Sequence, residues 1–222
     1  RSRLELMHPD QVPALHHRAS EWHEQNGLVV EAVSHAVAAG DVTRMAHLIA
    51  GNALTMIYHG ELETVAGWLD ALPEELVRSQ PWLCVAHAWT LSYAGRFDAL
   101  EPLLQEAERV LFELDEHIER PVMSEAEGQR IVGHIAAIRA YTAALSGDMS
   151  RAAGLAREAL EHLPEEEFKV RGSIASTLGS MLQVGGDLVG ASQVLTEASD
   201  ISKAADDRHV TIEILGDLAV LQ

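Results

Sequence analysis

The feature that most constrains the fold is a glycine turn that recurs along a chain whose apolar residues fall three or four positions apart. This spacing places apolar side chains on one face of an α-helix, and no stretch alternates with period two for long enough to predict a strand. The glycines follow the periodic segments, where a helix commonly ends in a left-handed residue. They are Gly27, Gly40, Gly60, Gly95, Gly147 and Gly186. The sequence therefore predicts an all-α fold of helices joined by tight turns.

The helices predicted from this pattern cover most of the chain. Ser124 and Glu127 form a capping box at the start of the longest of them, and a turn is expected at Glu119–Pro121. The predicted ranges, good to a few residues, are about 13–26, 28–39, 42–58, 61–71, 81–94, 97–118, 124–146, 149–162, 166–184, 188–204 and 208–221.

The residues around three of the glycines repeat one another. An alanine follows each glycine by twelve positions, and a small residue precedes it by seven. These residues are Ala107, Ala159 and Ala198, and Ala88, Ala140 and Gly179. The pattern resembles the tetratricopeptide repeat, in which small residues let the two helices of a hairpin approach closely. This resemblance implies a solenoid of antiparallel helix hairpins, a right-handed superhelix, although the glycine spacing departs from the period of about 34 residues.

The first half of the chain carries a second resemblance. Its segments are Leu15–Gly27, Glu31–Asp41, Trp68–Glu75 and Pro81–Trp89. This series resembles the MalT-type regulators, the large ATP-dependent members of the LuxR family. The resemblance implies a helical arm over residues 1–80, followed at 81–222 by degenerate repeats that stop after the first helix of a further repeat. There is no phosphate-binding loop and no basic helix-turn-helix, so ATP hydrolysis and DNA binding would belong to other domains of a longer parent regulator.

Charge and composition exclude several classes of partner. The 222 residues carry a net charge of -18, which repels phosphate backbones and anionic lipid, so we expect this segment to bind neither nucleic acid nor a membrane directly. No apolar stretch approaches the roughly 20 residues of a membrane span. One cysteine permits no intrachain disulfide and suits a reducing cytoplasm, so we expect a cytoplasmic protein.

The sequence gives little support to a metal site or to a catalytic site. Among the twelve histidines, His16, His17 and His23 lie on one helix, but no pair of them has the three- or four-residue spacing that shares a face, and His134, His162 and His209 stand alone. Cys84 occupies an interior repeat position, which favours a packed thiol over a nucleophile. We therefore expect no catalytic residue, no metal site and no cofactor in this segment.

The tetratricopeptide resemblance also predicts a binding face. In that repeat the first helix of each hairpin lines the concave surface, and the matching positions here hold aromatic and polar side chains. They are Trp82, Trp89, Tyr93, His134 and Tyr141. Such a face suits a small amphipathic ligand or a peptide. An equally supported alternative is that Trp82 and Trp89 belong to the core between repeats.

The function predicted from these patterns is a non-catalytic sensor segment. It would bind a small-molecule inducer or a protein partner and couple it to the absent ATPase and DNA-binding parts of a MalT-like regulator. The alternative is a free-standing repeat adaptor that clamps a peptide; a phosphate loop upstream and a helix-turn-helix downstream would favour the regulator. The apolar last helix, with Ile212, Leu215 and Leu221, is expected either to fray or to bury its apolar face against another copy; we favour self-association into a homo-oligomer.

Overall fold

The computed structural model of the protein describes residues 9–113, 123–204 and 208–220. Within these ranges the chain forms twelve α-helices and no strand, which confirms the all-α prediction. Short 3-10 turns at Pro9–Gln11 and Phe97–Ala99 precede the first and the seventh helix. In chain order the helices are α1 (Val12–Gln25), α2 (Val29–Ala39), α3 (Val42–Tyr58), α4 (Leu62–Ala71), α5 (Glu74–Arg78), α6 (Pro81–Tyr93), α7 (Leu100–Glu113), α8 (Glu125–Leu145), α9 (Met149–His162), α10 (Phe168–Val184), α11 (Leu188–Ala204) and α12 (Arg208–Val220).

Two helices differ from the ranges that the sequence predicts. The helix α5 is absent from the prediction, because a single turn is too short to show a helical period. The helix α7 begins at Leu100 rather than at 97, because the 3-10 turn comes first. The end of that predicted helix and the turn expected at Glu119–Pro121 lie outside the described residues.

Some of the turns between helices are built from a Gly-Asp pair. Gly147 has a φ of 83°, a left-handed conformation that glycine adopts without the steric cost of a Cβ. The following Asp148 then accepts a hydrogen bond from the backbone N–H of Arg151 at 3.1 Å and so caps the start of α9. Gly186 is also left-handed, and Asp187 caps α11 by accepting a hydrogen bond from the backbone N–H of Gly190 at 2.9 Å. All six predicted glycines have a positive φ, which confirms the glycine turns, and at Asp148 and Asp187 the turn also caps the next helix.

The described residues divide into two compact units. The first contains the described residues up to Thr90 together with Gln105–Val110. In this unit α1 packs against α2, and α2 packs against α3. The buried hydroxyl of Ser20 donates to the carbonyl of Ala32 at 2.8 Å and accepts from Arg44 Nε at 2.7 Å, so that one polar network joins the three helices.

The second unit contains Leu91–Leu104 and the described residues from Leu111 onward. Here α8 pairs with α9 and α10 pairs with α11, as the two helices of successive hairpins, and α12 packs against both α10 and α11. Apolar contacts join the hairpins to one another. Ala143, Ala152 and Met181 form one buried cluster, and Ala175, Leu195, Ala198 and Ile214 form a second. This stacking of helix pairs is the repeat architecture that the sequence predicts.

Two glycines in the second unit provide a matched test of close helix packing. A Cβ at Gly179 would lie 2.6 Å from Cγ of Leu195, which is itself buried, whereas a Cβ at Gly128 on α8 would meet no atom within 4 Å. We expect Gly179→Ala to overpack the hairpin and lower the free energy of unfolding by about 1–3 kcal/mol. Gly128→Ala should raise it by up to about 1 kcal/mol, because alanine favours the helix.

Chemical denaturation of the two variants measures these effects. Equal stabilisation by both substitutions would show that α10 and α11 do not approach closely at Gly179.

The last described helix presents apolar side chains to solvent. Ile212 is 70% exposed and Leu215 is 44% exposed, whereas Ile214 is fully buried. Self-association through this helix remains a prediction, and Leu221 lies outside the described residues. Among the described helices, none combines the length and the hydropathy needed to cross a membrane.

Candidate functional site

The five predicted face residues occur in very different environments. In the first unit Trp89 is only 5% exposed, so its ring belongs to the core, while Trp82 is half-buried. In the second unit Tyr93 is 52% exposed and Tyr141 is half-buried, but His134 is fully buried. Trp89 and His134 therefore offer no surface to a ligand in this conformation. Tyr93 and Tyr141 retain accessible surface, and their role in binding stays a prediction.

His134 belongs to a polar cluster with Glu167 and Arg130 that the sequence does not reveal. Its Nε2 lies 2.7 Å from Oε2 of Glu167, and Arg130 Nε donates to Oε1 of the same carboxylate at 2.7 Å. The sequence places His134 alone, without a carboxylate partner. The structure instead shows that Glu167 joins the start of α10 to α8. Only the three-residue run of glutamates was visible in the sequence, and nothing in it singled out the last member.

This cluster lowers the pKa of the Glu167 carboxyl group. Burial raises the pKa of Glu167, but the hydrogen bond and charge of His134, together with Arg130, lower that pKa by more. The net effect is a pKa below the ordinary value for glutamate. Glu167 therefore remains ionised at neutral pH and holds two cationic or hydrogen-bonding partners at the junction of the two hairpins.

A cavity of about 360 Å³ lies between α9, α10 and α11 in the second unit. Its apolar lining consists of Leu160, Phe168, Ala175, Leu178, Val194 and Ala198. Its charged lining consists of Arg157, Glu161, Arg171 and Glu197. The cavity therefore opens between the second helices of two successive hairpins, and none of the five predicted face residues lines it. Sequence reasoning missed it because its walls come from three helices that become neighbours only when the hairpins stack.

Arg171 is the most strongly fixed charge in the cavity wall. Its Nη1 donates to the carbonyls of Leu160 and Leu163, both at 2.6 Å, and so satisfies backbone groups at the end of α9. Its Nε is buried and has no acceptor among the described residues. The guanidinium is thus held in place by the fold before any ligand arrives.

Three histidines meet between α1 and α2 in the first unit. Nδ1 of His16 lies 2.8 Å from Nδ1 of His35, and the ring of His23 stacks on that of His35 at 5.1 Å between centroids. Burial and the neighbouring imidazoles of His16 and His23 hold the pKa of His35 below its ordinary value. His17 instead contacts Asp41 at 2.9 Å. In the part of the chain that the structure describes, no three histidine, cysteine or acidic side chains are arranged to hold a metal ion.

The thiol of Cys84 is placed as a packed side chain rather than as a nucleophile. It is fully buried on α6, and its Sγ donates to the carbonyl of Val77 at 3.2 Å. Burial, with a contribution from Glu106, raises its pKa to about 12. We therefore expect almost no thiolate at pH 8 and negligible labelling of the folded chain by iodoacetamide. Labelling monitored by mass spectrometry should begin only in denaturant, and rapid modification of the native chain would contradict this placement.

Comparison with known proteins shows which proteins the chain is similar to. Residues 133–222 match the model of the MalT-like TPR region. The HTH-type transcriptional regulator MalT of Yersinia enterocolitica serotype O:8 / biotype 1B is 29% identical to the chain over 202 residues, which cover 91% of the chain. The MalT regulators of Yersinia pestis (strain Pestoides F) and Yersinia pseudotuberculosis serotype O:1b are each 27% identical over the same share of the chain. Residues 133–222 are therefore similar to the MalT-like TPR region. This confirms the resemblance to MalT-type regulators inferred from the sequence.

The MalT-like region coincides with most of the second unit. It begins within α8 and contains His134, Tyr141 and all the residues that line the cavity, whereas Trp82, Trp89 and Tyr93 precede it. The chain covers 21% of the length of each of these three curated relatives. About four fifths of each relative therefore has no counterpart in this chain.

Proposed function

We propose that the chain is the helical-repeat sensor segment of a cytoplasmic transcription regulator. In this role it binds an effector, a small molecule or a protein, and transmits the bound state to ATPase and DNA-binding parts elsewhere in the regulator. The observation that carries the proposal is the match of residues 133–222 to the MalT-like TPR region, together with relatives that are named transcriptional regulators. The segment itself would perform no chemical step.

Two tyrosines of the second unit supply the surface in this proposal. Tyr93 ends α6 with about half of its surface exposed, and Tyr141 lies half-buried on α8. Aromatic rings with polar tips bind both apolar and hydrogen-bonding groups, because one part of the side chain is apolar and the hydroxyl is not. Substituting either ring removes contact area without opening a deep cavity. These two positions therefore separate binding from folding better than the buried Trp89 does.

Transcription from a reporter promoter tests the proposal in the full-length parent regulator. Tyr93→Ala and Tyr141→Ala should each abolish or strongly reduce the response to the inducer, while the melting temperature of the 222-residue chain changes little. Gln129→Ala, at an exposed position on the same helix as Tyr141, is the matched control and should respond like the wild type. An unaltered response in both tyrosine variants would reject the proposed face.

A further inference from the structure

The cavity between α9, α10 and α11 combines charges of both signs around an apolar lining. Arg157 and Glu161 lie one turn apart on α9, Arg171 lies on α10, and Glu197 lies on α11. Two positive and two negative groups leave the wall with no net charge, in a chain whose net charge is -18. This local balance differs from the acidic character of the molecule as a whole. It favours a ligand that itself carries both charges over a simple cation or anion.

The positive side of the cavity is suited to binding a carboxylate. The two backbone carbonyls at the end of α9 hold the Arg171 guanidinium, so binding an anion there costs little side-chain entropy. A carboxylate bound in the cavity could accept hydrogen bonds from the accessible N–H groups of the Arg171 and Arg157 guanidinium groups.

The remaining walls define the rest of the ligand. Glu161 and Glu197 are exposed carboxylates on the two helices that flank the cavity, and both can accept from an ammonium group. Between them, Phe168 and Val194 are half-buried and provide an apolar surface. A volume of about 360 Å³ lies at the lower end of the range for small-molecule pockets.

We infer that this cavity binds a small zwitterion with an apolar side chain, namely a free amino acid or a dipeptide. The carboxylate contacts Arg171 and Arg157, the ammonium contacts Glu161 or Glu197, and the side chain packs on Phe168 and Val194. The site is separate from the tyrosines on which the proposed function places the effector. Failure of either proposal therefore leaves the other one testable.

Isothermal titration calorimetry of the 222-residue chain with defined probes tests this inference. The probes are L-phenylalanine, L-leucine and L-leucyl-glycine, together with L-phenylalaninamide, which lacks the carboxylate, and N-acetyl-L-phenylalanine, which lacks the ammonium. We expect at least one zwitterion to bind with a dissociation constant in the millimolar range or tighter. Each blocked analogue should bind at least about fivefold more weakly than L-phenylalanine, because a hydrogen bond to a charged group is lost.

Variants of the exposed charged residues identify which wall of the cavity binds the carboxylate and which binds the ammonium group. Arg157→Gln should weaken zwitterion binding about fivefold and reduce the discrimination against the amide. Glu161→Gln and Glu197→Gln together should reduce the discrimination against the N-acetyl analogue. Arg151→Gln and Glu158→Gln, also exposed on α9 but outside the cavity lining, are the controls and should bind as the wild type does. Absence of binding by every zwitterion, or binding that none of the cavity variants alters, would overturn the inference.

Discussion

Replacing Trp89 by alanine is expected to lower the free energy of unfolding by about 3–5 kcal/mol. The ring is 5% exposed and lies on α6, on which Leu83, Cys84 and Val85 are also buried. Truncation would remove a large apolar surface from the core and leave a cavity that the fixed helices can only partly close. The substitution should therefore unfold the chain at a markedly lower urea concentration.

The matched control for Trp89 is Tyr93, one turn further along the same helix. Tyr93 is 52% exposed, so Tyr93→Ala should change the free energy of unfolding by about 0.5 kcal/mol or less. Urea denaturation followed by circular dichroism compares the two variants without depending on tryptophan fluorescence. A small effect of Trp89→Ala, equal to that of Tyr93→Ala, would show that the Trp89 ring lies on an open surface and would restore it to the predicted binding face.

The second large effect is expected at Glu167. Its side chain is 13% exposed and faces the fully buried His134 and the Arg130 guanidinium. Glu167→Ala leaves the buried His134 without its carboxylate partner, and the loss of a partner by a buried polar group costs about 1–3 kcal/mol. The adjacent Glu166 is exposed, so Glu166→Ala is the matched control and should alter stability by no more than about 0.5 kcal/mol.

The pH dependence of this effect has a definite sign. The pKa of Glu167 is lower in the folded chain than its ordinary value, so its contribution to stability is present above that ordinary value. The contribution is lost as the pH falls through the folded-state pKa. Thermal melts from pH 7 downward should show the difference between the wild type and Glu167→Gln shrinking in acid. A difference that stays constant across this range would show that the ionised carboxylate does not stabilise the junction.

Local features of the fold could be predicted from the sequence, because their causes lie within a few residues. The Gly147 turn, the Asp148 cap and the capping box at Ser124 each depend on neighbours along the chain, and the structure confirms them. The single-turn helix α5 was missed because five residues are too few to establish a period. Helix existence and turn position were therefore more predictable than short elements.

The candidate sites were less predictable, because they depend on contacts between distant segments. Arg130 and Glu167 are 37 residues apart, and their pairing follows from the packing of α8 against α10 rather than from any local pattern. Trp89 occupies a position that the repeat assigns to an open face, yet it is 5% exposed. The cavity needs three helices at once. Packing between hairpins, which a repeat pattern does not specify, decides the Arg130–Glu167 pair and the cavity.

Native mass spectrometry of the purified 222-residue chain tests the central claim of an effector-binding repeat segment most directly. After incubation with a soluble extract of the source cells, the wild-type chain should carry a non-covalent adduct that dissociates on denaturation. Gln129→Ala should retain that adduct, whereas Tyr93→Ala and Tyr141→Ala should lose it while remaining folded. A wild-type chain that carries no adduct, or an adduct that all four proteins retain equally, would contradict the account.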